Sequence, residues 1–215
     1  MAVFTASLDS ALVRETAAQA RADGADLNPL WRTMIIVPDA PSPGAAEHDP
    51  EHAALIRRAL TAPCVAAISV TPAEGPRTEL QISVDAEGAV VCARRGDGAA
   101  GWSPVDAEAL PEIVISMAPP GSRLAAPASM TTRSKATRLQ LSSAQVEQIR
   151  SAVEHGDTAD SAIAALPDLD PGLRDALTSR GDRASLAIHL IPPAPEESVT
   201  LLRRWTSGER GLYSA

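Results

Sequence analysis

Aromatic side chains are scarce in this 215-residue chain, at 2% of all residues; they are Phe4, Trp31, Trp102, Trp205 and Tyr213. So few rings leave little material for stacking on nucleic-acid bases or for enclosing a cation. The hydrophobic fraction is nonetheless 45%, so the core must be built mainly from Ala, Val, Ile and Leu. A chain of this length buries roughly 70% of its unfolded surface, which is enough for a substantial core.

The chain is also short of positive charge. Its 19 lysines and arginines are outnumbered by 27 aspartates and glutamates, which gives a formal net charge of −8 at pH 7. This balance argues against a nucleic-acid duplex as the partner, because binding to phosphates requires a basic surface. Between Glu112 and Glu147, however, there is no acidic residue, and four basic residues lie there: Arg123, Arg133, Lys135 and Arg138. This stretch is either a solvated connector or a docking segment for an acidic partner surface.

Only two cysteines are present, Cys64 and Cys92, and both lie in apolar, strand-like runs. Two cysteines do not make the dense disulfide framework of a small secreted domain, so we expect buried free thiols in a reducing cytoplasm. No apolar run approaches the roughly 18 residues that a membrane-spanning helix requires. Asp9, Arg14 and Glu15 interrupt the amino-terminal region where a signal peptide needs an apolar segment. The sequence therefore predicts a cytoplasmic protein without membrane insertion.

Motifs for catalysis are missing as well. The chain contains no G-x-x-x-x-G-K-[ST] phosphate loop, no G-x-G-x-x-G after a strand and no G-x-S-x-G elbow. The segment from His48 to His52 matches the H-x-x-E-H pattern of a zinc peptidase, with Glu51 as the base. A helix that begins at Pro50 leaves His48 outside it, so the two histidines do not share a helical face. We predict a protein that is not an enzyme, with no catalytic residue, metal site or cofactor; a metal-dependent hydrolase using His48, Glu51 and His52 is the alternative.

Hydrophobic periodicity and capping residues predict the elements of the first part of the chain. A short amino-terminal strand precedes a helix capped by Ser7 and ending near Ala22, and the apolar run Trp31–Val37 predicts an interior strand. Asp49 and Pro50 together indicate the start of another helix. Three runs separated by turn residues then predict an antiparallel meander, over Cys64–Thr71, Thr78–Val84 and Ala89–Arg95. The next elements are a short strand at Trp102–Val105 and a helix whose buried residues are Ile113, Val114 and Met117.

Pro, Gly, Ser, Thr and Ala dominate residues 119–135, which we interpret as a connector. Beyond it the pattern predicts a strand at Ala136–Leu141 and a helix capped by Ser142 or Ser143, with Val146, Ile149 and Val153 on one side. Two short helices and three strands complete the chain, at Ala159–Leu166, Pro171–Ser179, Ala184–Ile191, Ser198–Trp205 and Leu212–Ser214.

A helix that leads into strands occurs in both parts of the chain. Residues 57–62 (RRALTA) are similar to residues 174–179 (RDALTS), and β-patterned runs follow each of them. The alternative is a chance similarity between alanine-rich helices. We predict a single domain over residues 1–215 with an α/β (α+β) fold. Its central antiparallel sheet is built from two quasi-symmetric halves, about 1–118 and 136–215, and is flanked by helical bundles.

Several local patterns resemble the EspG family, the cytoplasmic chaperones of type VII (ESX) secretion systems. Residues 59–63 (ALTAP) resemble that family's junction between helix and meander, and residues 88–97 resemble its central hairpin. Leu110-Pro111 with Ile113 and Val114 resembles the helix that follows the hairpin. Residues 138–141 (RLQL), entering a helix, and the closing residues 205–213 resemble its second half and carboxyl end.

The resemblance implies a quasi-twofold α/β fold that binds helical secreted clients, PE–PPE or WXG100-like, through its carboxyl-terminal bundle and a loop of the sheet. Exposed aliphatic residues would then supply affinity and charged neighbours would supply register. We expect the contacts at Glu74 and Arg77, in a meander loop, and at Arg150, Leu169 and Leu173, in the later helices. A further alternative is a scaffold that forms a homodimer through a sheet edge or a helical face.

Overall fold

The computed structural model describes residues 4–8, 10–40, 49–96, 98–117, 141–192, 196–209 and 212–214. Within these residues eight strands form one antiparallel sheet: β1 (Phe4–Ala6), β2 (Cys64–Thr71), β3 (Thr78–Asp85), β4 (Gly88–Arg95), β5 (Ala100–Val105), β6 (Arg183–Leu190), β7 (Val199–Ser207) and β8 (Leu212–Ser214). The helices in the same residues are α1 (Ala11–Ala22), α2 (Pro29–Met34), α3 (Pro50–Thr61), α4 (Leu110–Ser116), α5 (Ser143–Glu154), α6 (Ala159–Ala164) and α7 (Pro171–Thr178). The predicted α/β class with a central antiparallel sheet is confirmed.

The two parts of the chain meet at the centre of the sheet. The strand order is β1-β5-β4-β3-β2-β6-β7-β8. Strands β2 and β6 pair with each other in antiparallel register, with Ala67 opposite Ala187. Each of the two central strands also pairs with the strand that follows it in the chain, β3 or β7. The predicted antiparallel meander of β2, β3 and β4 is therefore confirmed.

Helices α1 to α3 precede β2 in the chain, and helices α5 to α7 precede β6. The last helix of each group, α3 or α7, contains the same internal hydrogen bond. In α3 the Thr61 hydroxyl donates to the carbonyl of Arg57, and in α7 the Thr178 hydroxyl donates to the carbonyl of Arg174, both at 2.9 Å. Both helices begin with an aspartate cap followed by proline. These parallels support two related halves, and their division at residues 1–118 and 136–215 stays a prediction. The connector 119–135 and the predicted strand at 136–140 lie outside the described residues.

The first helices differ from prediction in two places. The run Trp31–Val37, which we expected to be a strand, begins inside α2, because the Asn28 side chain accepts the Leu30 amide at 3.1 Å and Pro29 occupies the first turn. The cap of α1 is Ser10 and not Ser7, since the Ser10 hydroxyl accepts the Val13 amide at 3.3 Å. In both cases the side-chain cap decides where the helix starts.

One face of the sheet carries the main core under α1, α2 and α3. Trp31 and Trp102 stack there, fully buried, with ring centroids 5.6 Å apart. The Trp31 indole donates to the Ser83 hydroxyl at 3.1 Å, which fixes α2 to β3. On the opposite face a second cluster packs beneath α4 and includes Met117. Val114 of α4 is 37% exposed, so its predicted burial is wrong.

Candidate functional site

The turn between β2 and β3 carries two of the predicted contact residues. Glu74 and Arg77 are both exposed. Arg77 forms an ion pair with Glu79 at 2.8 Å, and Arg94 donates to the same carboxylate from its Nε at 2.9 Å. One Glu79 carboxylate is therefore shared by two arginines. The amide of Ala73, in this turn, donates to the Asp182 carboxylate at 3.0 Å, which joins the turn to the loop after α7.

A shallow polar cavity of about 270 Å³ lies beside the arginine pair on the main-core face of the sheet. Its floor includes Gln81, which is 4% exposed and whose Oε1 has no hydrogen-bond partner among the described residues. The hydroxyls of Ser69 and Ser185 also line the cavity and bond to each other at 2.8 Å across the β2–β6 pair. The described residues that line the cavity supply hydrogen-bonding groups but no arrangement of nucleophile and base.

The carboxyl-terminal helices form a small bundle with its own core. Its buried residues are Ile163, Leu166 and Leu169, and the partly buried residues around them are Leu141, Ile149, Leu173 and Leu177. Leu169 is only 6% exposed, so its side chain stabilises the bundle from inside. Arg174 holds α7 against the end of α6 by donating to the carbonyls of Ala164 and Leu166, at 2.7 and 2.5 Å. The helices of the bundle are therefore held together by a shared apolar core and by the hydrogen bonds of Arg174.

Helix α5 presents an exposed apolar stripe at the surface of this bundle. A capping box between Ser142 and Gln145 fixes its start. Val146 and Val153 are two helical turns apart on one face and are 40% and 44% exposed, whereas Ile149 packs into the bundle. Arg150 lies beside the two valines and is exposed, with an ion pair to Glu147 at 3.1 Å. We call Val146, Arg150 and Val153 the α5 stripe.

The predicted contact residues fall into two groups. Glu74 and Arg77 lie at the β2–β3 turn, and Arg150, Leu169 and Leu173 belong to the bundle. The contact between the β2–β3 turn and Asp182, four residues after α7, connects the two regions. Periodicity placed Val146 and Val153 on one side of the helix with Ile149, and it did not indicate that the two valines stay exposed while Ile149 packs inward. The binding role of the five predicted residues stays a prediction.

The histidine segment shows no metal geometry in the residues that the structure describes. Asp49 caps α3 and Pro50 is its first residue, as predicted. His48 lies outside the described residues, and His52 Nε2 lies 3.7 Å from the Asp49 carboxylate. Over the described ranges no three His, Cys, Asp or Glu side chains lie close enough to hold a metal ion. The hydrolase alternative, which requires His48, stays a prediction.

Both thiols are free, and their surroundings make them poor nucleophiles. Burial raises the pKa of Cys92 to about 12, and it also raises the pKa of the half-buried Cys64. A thiol reacts as its thiolate, so neither cysteine is activated at neutral pH.

None of the described helices is long and apolar enough to cross a membrane.

Comparisons with known proteins found similarity to solved structures. No family model matches the sequence, and no curated protein matches it. Among solved structures the chain is similar to the Mycobacterium tuberculosis type VII secretion system chaperone EspG5, in complex with a PE25–PPE41 dimer. The sequence identity is 15%, the TM-score is 0.45, and the match covers 99% of this chain and 86% of that chain. Similarity at this level assigns neither a family nor a function.

Proposed function

We propose that this chain is a non-enzymatic cytoplasmic chaperone or adaptor that binds a helical client protein of the PE–PPE or WXG100-like kind for type VII secretion. The observation that carries the proposal is the α5 stripe, where two valines two turns apart stay exposed on a capped helix beside an arginine. Partner helices dock on surfaces with this spacing, because their own apolar residues recur every three to four positions. The resemblance of the sequence motifs to the EspG family supports the choice of client.

The proposed role of the α5 stripe is to cover apolar surface of the client until transfer to the secretion machinery. Full burial of a valine contributes about 1.5–3 kcal/mol, and the exposed two fifths of Val146 and Val153 would contribute about 0.6–1.2 kcal/mol each. Arg150 would supply orientation by pairing with a client carboxylate. Glu74 and Arg77 would form the second contact, from the β2–β3 turn that touches the loop after α7.

The proposal is tested by co-expression with PE–PPE and WXG100-like proteins encoded near this chain, followed by titration calorimetry on any complex that co-purifies. We expect the double substitution Val146→Ser/Val153→Ser to weaken binding roughly tenfold to fiftyfold, from the areas given above. Val114→Ser is the matched control, because Val114 is similarly exposed at 37% on a different helix. Equal losses in the two variants, or no co-purifying client at all, would contradict the proposal.

A further inference from the structure

The centre of the sheet, where the two parts of the chain meet, carries small side chains. Ala67 of β2 lies opposite Ala187 of β6, and Ser69 lies opposite Ser185. Directly opposite residues on neighbouring strands present their side chains on the same face, and side chains two positions apart on one strand share a face as well. The cavity of about 270 Å³ lies over these four small side chains.

Gln81 supplies a hydrogen-bond acceptor to this cavity. In the sheet it lies opposite Ala67, on the side of β2 away from Ala187. It is 4% exposed, and its Oε1 is buried without a hydrogen-bond partner among the described residues. A buried acceptor without a donor costs free energy, so a ligand N–H group that reaches it gains binding. The last torsion of a glutamine side chain is broad, which lets the carbonyl turn to meet such a donor.

The serine pair supplies the complementary group, a donor. The hydroxyls of Ser69 and Ser185 bond to each other at 2.8 Å, which uses one of their two hydroxyl hydrogens. The second hydrogen remains for a ligand carbonyl. Gln81 and Ser69 are diagonal neighbours across the β2–β3 pair. One amide group, which carries both an N–H and a carbonyl, therefore complements Gln81 and the serine pair together.

Positive charge exceeds negative charge among the described residues that line the cavity. Arg77 and Arg94 share the single Glu79 carboxylate, and their side chains are 57% and 34% exposed. One guanidinium charge is therefore left over. Each guanidinium has more N–H groups than its bonds to Glu79 use. Arginine binds carboxylates through charge-assisted hydrogen bonds, so a ligand with one negative charge fits this end of the cavity.

We infer that the cavity binds a small organic acid that carries one carboxylate and one amide group on a short carbon chain. The carboxylate pairs with Arg94 and Arg77, and the amide bonds to Gln81 and the serine pair. The carbon chain packs against Leu8 and Met34 at the wall.

The volume of the cavity fits a ligand of this size. A single water takes about 30 Å³, so about 270 Å³ holds more than an isolated solvent molecule. Pockets for drug-sized ligands begin at roughly 300 Å³, so the space suits a short-chain compound. The inference goes beyond the proposed chaperone role and does not rest on it, because the ligand binds the chain without a client.

The probe is the monoamide of glutaric acid, added to the 15N-labelled chain without any client protein. We expect saturable shifts of the Gln81 side-chain NH₂ signals and of the Ala67 and Ala187 backbone amides in two-dimensional NMR spectra. The neutral diamide of glutaric acid is the matched control ligand, because it keeps the amide and the chain length but lacks the negative charge. It should bind roughly tenfold more weakly or worse, since it loses a charge-assisted hydrogen bond.

Two variants test the residues that carry the inference. Gln81→Met removes the hydrogen-bonding groups at similar volume and should weaken binding roughly tenfold or more. Its melting temperature should stay equal or rise, because an unpaired buried polar group is lost, and this separates a role in binding from a role in folding. Arg94→Met should weaken binding of the monoamide to a similar extent. Arg95→Met is its matched control, because Arg95 is the next residue of β4, is exposed and does not line the cavity.

Three results would overturn the inference. The first is the absence of a saturable shift at the Gln81 signals up to about 10 mM monoamide, which would leave the cavity to solvent. The second is equal binding of the diamide, which would remove the charge argument. The third is unchanged binding to the folded Gln81→Met variant, which would remove the amide argument.

Discussion

Substitution of Asn28 gives the sharpest test of how the first helices are held. This side chain is fully buried between α2 and α3 and makes two hydrogen bonds. Its Oδ1 accepts the Leu30 amide at 3.1 Å, as the cap of α2. Its Nδ2 donates to the carbonyl of Ala62 at 3.0 Å, just beyond the end of α3. One residue therefore closes the start of one helix and the end of another.

The expected cost of Asn28→Ala is the sum of two separate losses. Removal of a side-chain cap destabilises a protein by about 1 kcal/mol. Ala62 is 2% exposed, so its carbonyl loses a buried donor, at a cost of about 1–3 kcal/mol. We expect a decrease of about 2–4 kcal/mol in the free energy of unfolding. Asn28→Ser keeps a capping oxygen but does not reach Ala62, so its cost should be intermediate.

Urea denaturation followed by far-UV circular dichroism measures the difference, with an unchanged denaturant slope as the criterion for a simple loss of stability. Thr158→Ala is the matched control, because Thr158 caps α6 through one exposed hydrogen bond to the Ser161 amide. Its loss should be no more than about 1 kcal/mol. A cost for Asn28→Ala no larger than that of Thr158→Ala would refute the role assigned to the buried bond.

Three further predictions follow from contacts elsewhere in the fold. Arg58 holds the pKa of Asp85 below its ordinary value through a two-bond ion pair; Asp85→Asn should cost about 1–2 kcal/mol at pH 7. That difference should shrink as pH falls below the unfolded value of about 3.9 and through the lower folded value, measured by urea titration. Cys92 should react with a thiol reagent at pH 8 only after unfolding, and fast labelling of native protein would contradict its burial. Gly208→Ala should lower the melting temperature by several degrees, because the added carbon overlaps the Asp175 carboxylate, which is held in place by hydrogen bonds from the Glu209 amide and the Tyr213 hydroxyl.

The sheet could be predicted closely from the sequence, and one helix could not. The bounds of β2, β3 and β4 agree with prediction to within one residue, because glycines and prolines in the turns mark where the strands begin and end; Gly88 (φ +130°), for example, is the first residue of β4. The run ending in Ile36 and Val37 was read as a strand from its continuous hydrophobicity. Asn28 and Pro29 outweigh that signal, and Ile36 is 76% exposed.

The candidate surfaces depend on packing that one sequence does not specify. Periodicity correctly placed Val146, Ile149 and Val153 on one side of a helix. Which of them is buried depends on how α6 and α7 dock, and only Ile149 joins their core. Leu169, in contrast, is buried although its position between two prolines gave no indication of burial.

The two helices that carry the repeated motif bury their apolar residues in different places. In α3, Ile56, Ala59 and Leu60 join the main core against the sheet. In α7, Leu173 and Leu177 pack into the small bundle instead. In the predicted duplication, the corresponding helix therefore packs against the sheet in the first half and into a separate bundle in the second. That difference gives the second half a separate bundle, on whose surface Val146 and Val153 of α5 stay exposed.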